Sequence, residues 1–240
     1  MIEALLLDLD DTLLTNDMQT FIPPYFGLLT QALADCIPPR VMLAHMDQGV
    51  QRMQNNDGGE QTNQEAFREG FFAGLDVSPG QVEGRFLRFY EEQFDELQAH
   101  TVPKPAARPL VEEALRRGYR VAVATQPIFP LVAVRKRLAW AGLDGLPFDW
   151  VCCYETMHAC KPRPAFFLEV AERLGTPPQR CLMAGDSVAM DLPAREVGMR
   201  TFWVTDSLTV SPLPAAGPAD GQGSLEDLYR LVRGDHLRRW

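Results

Sequence analysis

The sequence predicts an α/β protein, a doubly wound parallel sheet interrupted by an inserted α-helical subdomain. Three observations lead there. Short apolar runs that end in a polar residue recur four times, at residues 2–10, 120–125, 180–186 and 200–206. Helix signals lie between the later runs, and strands alternating with helices imply right-handed βαβ units. Residues 15–101, by contrast, hold several helix signals and no convincing strand.

In chain order, Ile2-Glu-Ala-Leu-Leu-Leu-Asp8-Leu-Asp10 is an apolar run that breaks into carboxylates, as a buried central strand does at its C-terminal end. The insert follows. Pro38-Pro39 opens a helix over 41–53, Thr62-Asn-Gln-Glu65 is a capping box for a helix over 66–74, and Ser78-Pro79 starts a run to about Gln98. On that run Phe86, Phe89, Tyr90 and Phe94 recur at three- and four-residue spacing, a stripe that reads as subdomain core. Asn55-Asn56-Asp-Gly-Gly59 reads as a turn at a tip. Past the insert, Pro109 to Gly118 has acids early, arginines late and a glycine stop before the strand at Arg120. Helices over 131–140, 165–174 and 191–196 end at Gly142, Gly175 and Gly198. Ser207 to Ser224, rich in Pro, Gly, Ala and Ser, reads as a surface loop. A short helix over 225–232 and a solvated tail, Arg233 to Trp240, complete the chain.

With 240 residues, 46% of them hydrophobic and 23% charged, the chain has an ordinary globular composition, which excludes disorder as its global state. The formal charge of −9, from 23 basic and 32 acidic residues, argues against nucleic acid or an anionic membrane as a partner. Small anions remain compatible with it. No apolar run approaches the ~20 residues of a membrane span, and Met1-Ile2-Glu3 lacks a basic signal region, so a cytoplasmic protein is expected. Five cysteines, Cys36, Cys152, Cys153, Cys160 and Cys181, form an odd set without a C-x-x-C pair. They are read as packing residues rather than as a disulfide framework or, with His158, a zinc cluster.

The chemistry gathers at the strand ends, outside which ligands of such sheets bind. Asp8 and Asp10, two residues apart, point to one side with Cα atoms ~6 to 7 Å apart. Asp186 and Asp191 follow a second strand in Gly185-Asp-Ser-Val-Ala-Met-Asp191, where Gly185 permits a tight turn. Converging carboxylates repel by about 4 kcal/mol at ~4 Å and an effective dielectric near 20, so a compensating cation is implied. Oxygen ligands select a hard ion, and few carboxylates beside a phosphate oxygen suit Mg2+. Thr125 ends its strand with a hydroxyl donor, and Lys161, before Pro162, offers a flexible positive charge. Together the two suit a phosphate.

Asp8-Leu-Asp10-Asp-Thr-Leu, strand-terminal Thr125, Lys161-Pro162 and Gly185-Asp186-Ser187 with Asp191 resemble the haloacid dehalogenase-like (HAD) hydrolases over nearly the whole chain. The resemblance implies a Rossmann-like core over residues 1–14 and 102–240, with a helical cap over 15–101. It makes Asp8 the nucleophile that becomes an aspartyl-phosphate and Asp10 the acid that protonates the leaving oxygen and later activates water. Mg2+ would be bound by the side chains of Asp8 and Asp186 and the backbone carbonyl of Asp10. Thr125 would hold phosphoryl oxygens, Lys161 would offset charge, and Asp191 would position Lys161 or a metal-bound water. Gln126 stands where asparagine is frequent in the family, and Asp11 where glycine is common. Glu155 reads as a metal helper or a strand-end acid.

The function this implies is a Mg2+-dependent phosphatase acting on a small phosphorylated metabolite, as a monomer or homodimer. Asp10 favours it, because dehalogenases of the fold dispense with Mg2+ and lack that second aspartate. A phosphomutase or dehalogenase of the same fold, and a non-catalytic binding or regulatory protein, are the alternatives. A phospho-accepting receiver domain is disfavoured by length and by the insert.

Overall fold

The computed structural model describes residues 1–208 and 219–240. From the N-terminus, β1 (Ala4–Leu7) and β2 (Leu14–Thr15) lead into four helices, α1 (Met18–Leu33), α2 (Pro39–Gln54), α3 (Asn63–Phe72) and α4 (Pro79–Glu92). A 3-10 segment, Phe94–His100, and β3 (Val102–Pro103) bring the chain back. Then come α5 (Ala107–Arg116), β4 (Arg120–Val123), α6 (Leu131–Trp140), β5 (Trp150–Val151), α7 (Pro164–Arg173) and β6 (Cys181–Gly185). A 3-10 segment, Leu192–Val197, precedes β7 (Arg200–Val204), β8 (Gly221–Gly223) and α8 (Leu225–Arg233).

The main sheet has the order β5-β4-β1-β6-β7-β8, with every pairing parallel. Its strands are apolar on both faces because helices cover both. Leu5 and Leu7 of β1 pack with Val121, Val123 and Leu182 in one core cluster, while Ala4 and Leu6 pack with Ala122, Met183 and Phe166 in another. The strand order reverses between β1 and β6: the chain builds outward to β4 and β5, then crosses back to start again at β6. This is the doubly wound arrangement that opens a crevice beyond the strand carboxyl ends. Leu7 is level with Val123 on one side and Ala184 on the other, so residues 8, 124–125 and 185–186 meet at one edge.

The two chain crossings between the sheet and the helical block lie side by side, since β2 and β3 pair antiparallel. Within the block α2 and α3 cross closely. A Cβ on Gly70 would stand 2.8 Å from the Gln48 carbonyl oxygen, so only glycine permits this crossing. The Thr62 capping box at the start of α3 is present as the sequence predicts.

The structure departs from the sequence reading in several places. The Asn55–Gly59 turn is a docking element rather than a tip: Gly58 N donates to the His158 carbonyl at 3.0 Å and Asp57 bridges to Ala159. Buried Asn63 donates to the carbonyls of Pro127 and Ala159 and accepts from Asn56 Nδ2. Helix α1 went unpredicted because Pro23-Pro24 inside it reads as a break. The run after Ser78 is α4 followed by the separate 3-10 segment, and residues 192–197 form a 3-10 turn rather than an α-helix. Strand β8 lies inside the expected Ser207–Ser224 loop, whose residues 209–218 fall outside the described ones. The tail is anchored: Leu237 is buried, the Trp240 ring lies against Gly221, and the Met1 amine donates to the Trp240 carbonyl at 3.1 Å. Cys152, Cys153, Cys160 and Cys181 are buried free thiols. No helix among the described residues is long and apolar enough to cross a membrane.

Asn63→Ala removes an amide that joins the helical block to two core carbonyls and leaves those acceptors buried. A loss of about 1 to 3 kcal/mol in unfolding free energy is expected, measured by urea denaturation at constant slope.

Candidate active site

Asp8, Thr125 and Asp186 are each carried by the residue or two just beyond a strand. Asp8 follows β1 and its amide donates to the Ala184 carbonyl at 2.9 Å, which ties the residue to β6. Thr125 follows β4, Asp186 follows β6, and Lys161 comes from the loop before α7. All four are buried and line one pocket of about 200 Å3 together with Asp10, Asn16, Gln126, Ser187 and Asp191. Carboxylate oxygens of Asp8, Asp186 and Asp191 lie within 4.8 Å of one another. Lys161 Nζ donates to Asp8 Oδ1 at 2.7 Å and to Asp191 Oδ1 at 2.6 Å.

Gly185 is needed here for contact rather than for a turn. It closes β6, and a Cβ on it would fall 2.1 Å from Asp191 Oδ2. The same Asp191 oxygen accepts from the Ser187 amide at 3.0 Å, so the Asp191 carboxylate is clamped between that amide and Lys161. Gln126 holds Lys161 from the other side, its side-chain oxygen accepting from the Lys161 amide at 2.9 Å. Asp11 has φ of +58°, the left-handed region that favours glycine and that aspartate tolerates.

The electrostatics follow from burial. Desolvation raises the Asp8 carboxyl well above its ordinary range; Lys161 opposes this, and Asp191 and Asp186 add to it. Burial, with the charges of Asp191 and Asp11, pushes Asp186 up to about 7. For Lys161 burial lowers the pKa, but Asp191 and Asp8 together outweigh it and the net shift is upward. Three carboxyl groups thus crowd around one ammonium that donates to two of them, in an all-oxygen cluster. Such a donor set fits a hard divalent cation such as Mg2+.

Asp10 is turned away from this cluster. Its Oδ2 accepts from Arg137 Nη1 at 2.5 Å and its Oδ1 from Asn16 Nδ2 at 2.8 Å. Arg137 is fully buried on α6, its guanidinium sits 4.5 Å above the Phe129 ring centroid, and its Nε and Nη2 have no hydrogen-bond partner among the described residues. Sequence reasoning missed Arg137, because an arginine in Leu131-Val-Ala-Val-Arg-Lys-Arg137 reads as helix surface. It also missed Thr12, whose hydroxyl accepts from the Asp186 amide at 3.1 Å and reaches Asp186 Oδ1 at 3.3 Å. Trp203 Nε1, donating to the Asp186 carbonyl at 2.9 Å, is a third omission. Glu155 is a helix cap: both its oxygens accept from the Leu131 amide at the start of α6.

A doubly wound sheet with an acidic crevice and a helical insert after the first strand defines a hydrolase class. Residues 2–197 match the model of the haloacid dehalogenase-like hydrolase family, and the chain belongs to that family. Phosphatase MT3486 of Mycobacterium tuberculosis is 39% identical over 103 residues, 43% of this chain and 46% of that protein. The chain spans about half the length, or less, of the curated relatives it matches. A HAD phosphatase from Thermococcus onnurineus superposes with a TM-score of 0.58 at 24% identity, covering 97% of this chain and 99% of that one. An L-2-haloacid dehalogenase from Xanthobacter autotrophicus does so at 0.55 and 19% identity, covering 98% and 99%. These structural likenesses establish the fold alone.

Two outcomes are expected. Asp186 titrates near 7 when folded against an ordinary 3.8, so the folded metal-free protein holds an extra proton between those values. The stability this proton confers is lost as pH rises through about 7. A divalent cation bound by these carboxylates would displace that proton, so millimolar Mg2+ is expected to raise Tm more at about pH 8 than at about pH 5 in thermal melts. Gly185→Ala drives a methyl into the Asp191 carboxylate and separates it from Lys161, lowering kcat at least about tenfold in a steady-state assay.

Proposed function

We propose that the chain is a Mg2+-dependent phosphatase that hydrolyses a small phosphorylated metabolite through an aspartyl-phosphate on Asp8. Residues 1–14 and 102–240 form the catalytic core in this reading, and 15–101 a cap. The observation that carries it is the convergence of Asp8, Asp186 and Asp191 around the Lys161 ammonium at the strand-order reversal. A dehalogenating site, which handles a monovalent leaving halide, has no use for so many buried carboxylates.

Asp8 Oδ attacks phosphorus, the bond from phosphorus to the leaving oxygen breaks, and Asp10 donates the proton that the departing alkoxide needs. Water then attacks the aspartyl-phosphate, Asp10 accepts its proton, the bond between Asp8 and phosphorus breaks, and inorganic phosphate leaves. Thr125 donates a hydrogen bond to a phosphoryl oxygen and Lys161 offsets the charge on Asp8 and the phosphate. Mg2+, held by the Asp8 and Asp186 side chains and the Asp10 backbone carbonyl, would supply electrostatic stabilisation of the transferring group. Asp191 keeps Lys161 in place. Arg137 and Asn16 set the resting orientation of the Asp10 carboxylate.

A panel of phosphorylated sugars, nucleotides and short acids, assayed for phosphate release with and without EDTA, tests the reading. Release that EDTA abolishes is expected, as is its complete loss in Asp8→Asn; turnover that survives EDTA would overturn the metal assignment. Asp10→Asn lowers kcat/KM, which reports the first phosphoryl transfer, on alkyl esters by about 100-fold or more. On p-nitrophenyl phosphate, whose leaving group departs without a proton, the loss is far smaller. Arg137→Met reproduces this dependence on the leaving group in weaker form.

A further inference from the structure

A second cavity, walled by residues that neighbour the acidic pocket along the chain, takes no part in the chemistry described so far. It encloses about 530 Å3 between the four cap helices and two core loops, within the size range of small-molecule sites. Its wall is mainly apolar, with Ile22, Met46, Met53, Phe67, Phe86 and Ile128 among its residues. Most polar groups in that wall face one another or the backbone, although Glu83 Oε1 accepts no hydrogen bond among the described residues. Arg68 pairs with Glu83 at 2.9 Å, Tyr25 with Tyr90 at 2.8 Å, Tyr154 with Gln64, and Glu155 with the Leu131 amide.

Three connections join the wall of this cavity to that of the acidic pocket. Met18 lines the acidic pocket and Ile22, one turn on along the same face of α1, lines the cavity. Gln126 lines the pocket and Ile128, whose amide donates to the Gln126 carbonyl at 2.9 Å, lines the cavity. Asp10, the acid assigned to the leaving oxygen, is held by Arg137, and Arg137 lies over Phe129, which forms cavity wall.

We infer that this cavity receives the alcohol part of the substrate and that the alcohol is apolar: the substrate class is a phosphomonoester of an alkyl or aryl alcohol. The inference rests on the phosphatase reading and narrows it. A polyol entering this cavity would exchange water for a mainly apolar wall with too few polar atoms to satisfy several hydroxyls, which would lose hydrogen bonds. An alkyl or aryl group would instead gain from every methylene removed from water.

The test is kcat/KM with Mg2+ for n-alkyl monophosphates from ethyl to octyl, with glycerol phosphate as the polar comparator. A rise of about threefold or more per methylene is expected, at least about 700-fold across the series, with glycerol phosphate near the bottom. A flat or falling series overturns the inference while leaving the phosphatase reading intact. Val50→Trp, which fills the cavity, and Leu87→Trp, at an exposed position of its wall, each lower the octyl-to-ethyl ratio at least about tenfold. A ratio unchanged in both variants, with normal melting curves, overturns it. Calorimetric binding of octyl phosphonate against ethyl phosphonate reads the cavity without turnover. Tighter octyl binding supports an apolar site even if no ester is hydrolysed, and equal binding overturns it. Octyl phosphonate is expected to inhibit competitively; noncompetitive inhibition would make the cavity a separate site and overturn the leaving-group assignment.

Discussion

The Lys161 ammonium, donating to both Asp8 and Asp191, is the contact on which the acidic crevice depends. Carboxylates within 4.8 Å repel one another by roughly 3 kcal/mol per pair at an effective dielectric near 20. Burial strips them of the water that would otherwise screen this, and the upward shifts of Asp8 and Asp186 register the cost. One buried cation shared by two carboxylates offsets part of it. The residue has its own support, because Gln126 grips its backbone and the absence of a side chain at Gly185 lets Asp191 come close enough to reach it. What remains is an all-oxygen cluster of three closely spaced carboxyl groups, a donor set that fits a hard divalent ion.

The sheet explains why these groups meet at all. Asp8 and Asp186 lie on adjacent strands where the winding reverses, so neither crossover helix covers the gap between them. Thr12 then ties the turn after β1 to the Asp186 backbone, and Trp203 ties β7 to the same residue. The helical block is held over this edge by a different set of bonds, from Gly58, Asn63 and Gln64 to carbonyls of core loops. A chain of contacts from Asp10 through Arg137 to Phe129 joins the charged crevice to the apolar space above it. Charge stabilisation and apolar recognition are thereby assigned to neighbouring but separate volumes.

Much of this was legible in the sequence, for reasons that differ by residue. Asp8, Asp10, Thr125 and Asp186 announce themselves because a polar residue at or just past the end of a buried parallel strand contradicts the burial around it. Lys161 was found only through its order relative to the others. Arg137 gave no such signal: its helix carries Arg135 and Lys136 beside it, and nothing local marks which basic side chain turns inward. Its partner is 127 positions earlier in the chain. The Asn55–Gly59 turn misled in the same way, since turn chemistry states how a backbone bends and not what it then touches. Glu155 was left between two roles until its bonds to the Leu131 amide settled it as a cap.

Local pattern alone determined the α/β class and the strand ends that carry chemistry, because periodicity and burial along a few consecutive residues record both; the family was indicated by the resemblance of four motifs in their order along the chain. Tertiary structure decided which way Asp10 faces, which arginine holds it, where the helical block docks, and that an apolar cavity stands beside the acidic one. Those depend on packing between segments tens to more than a hundred residues apart, and on how volume is left over when they pack. No local pattern records a distance of that kind.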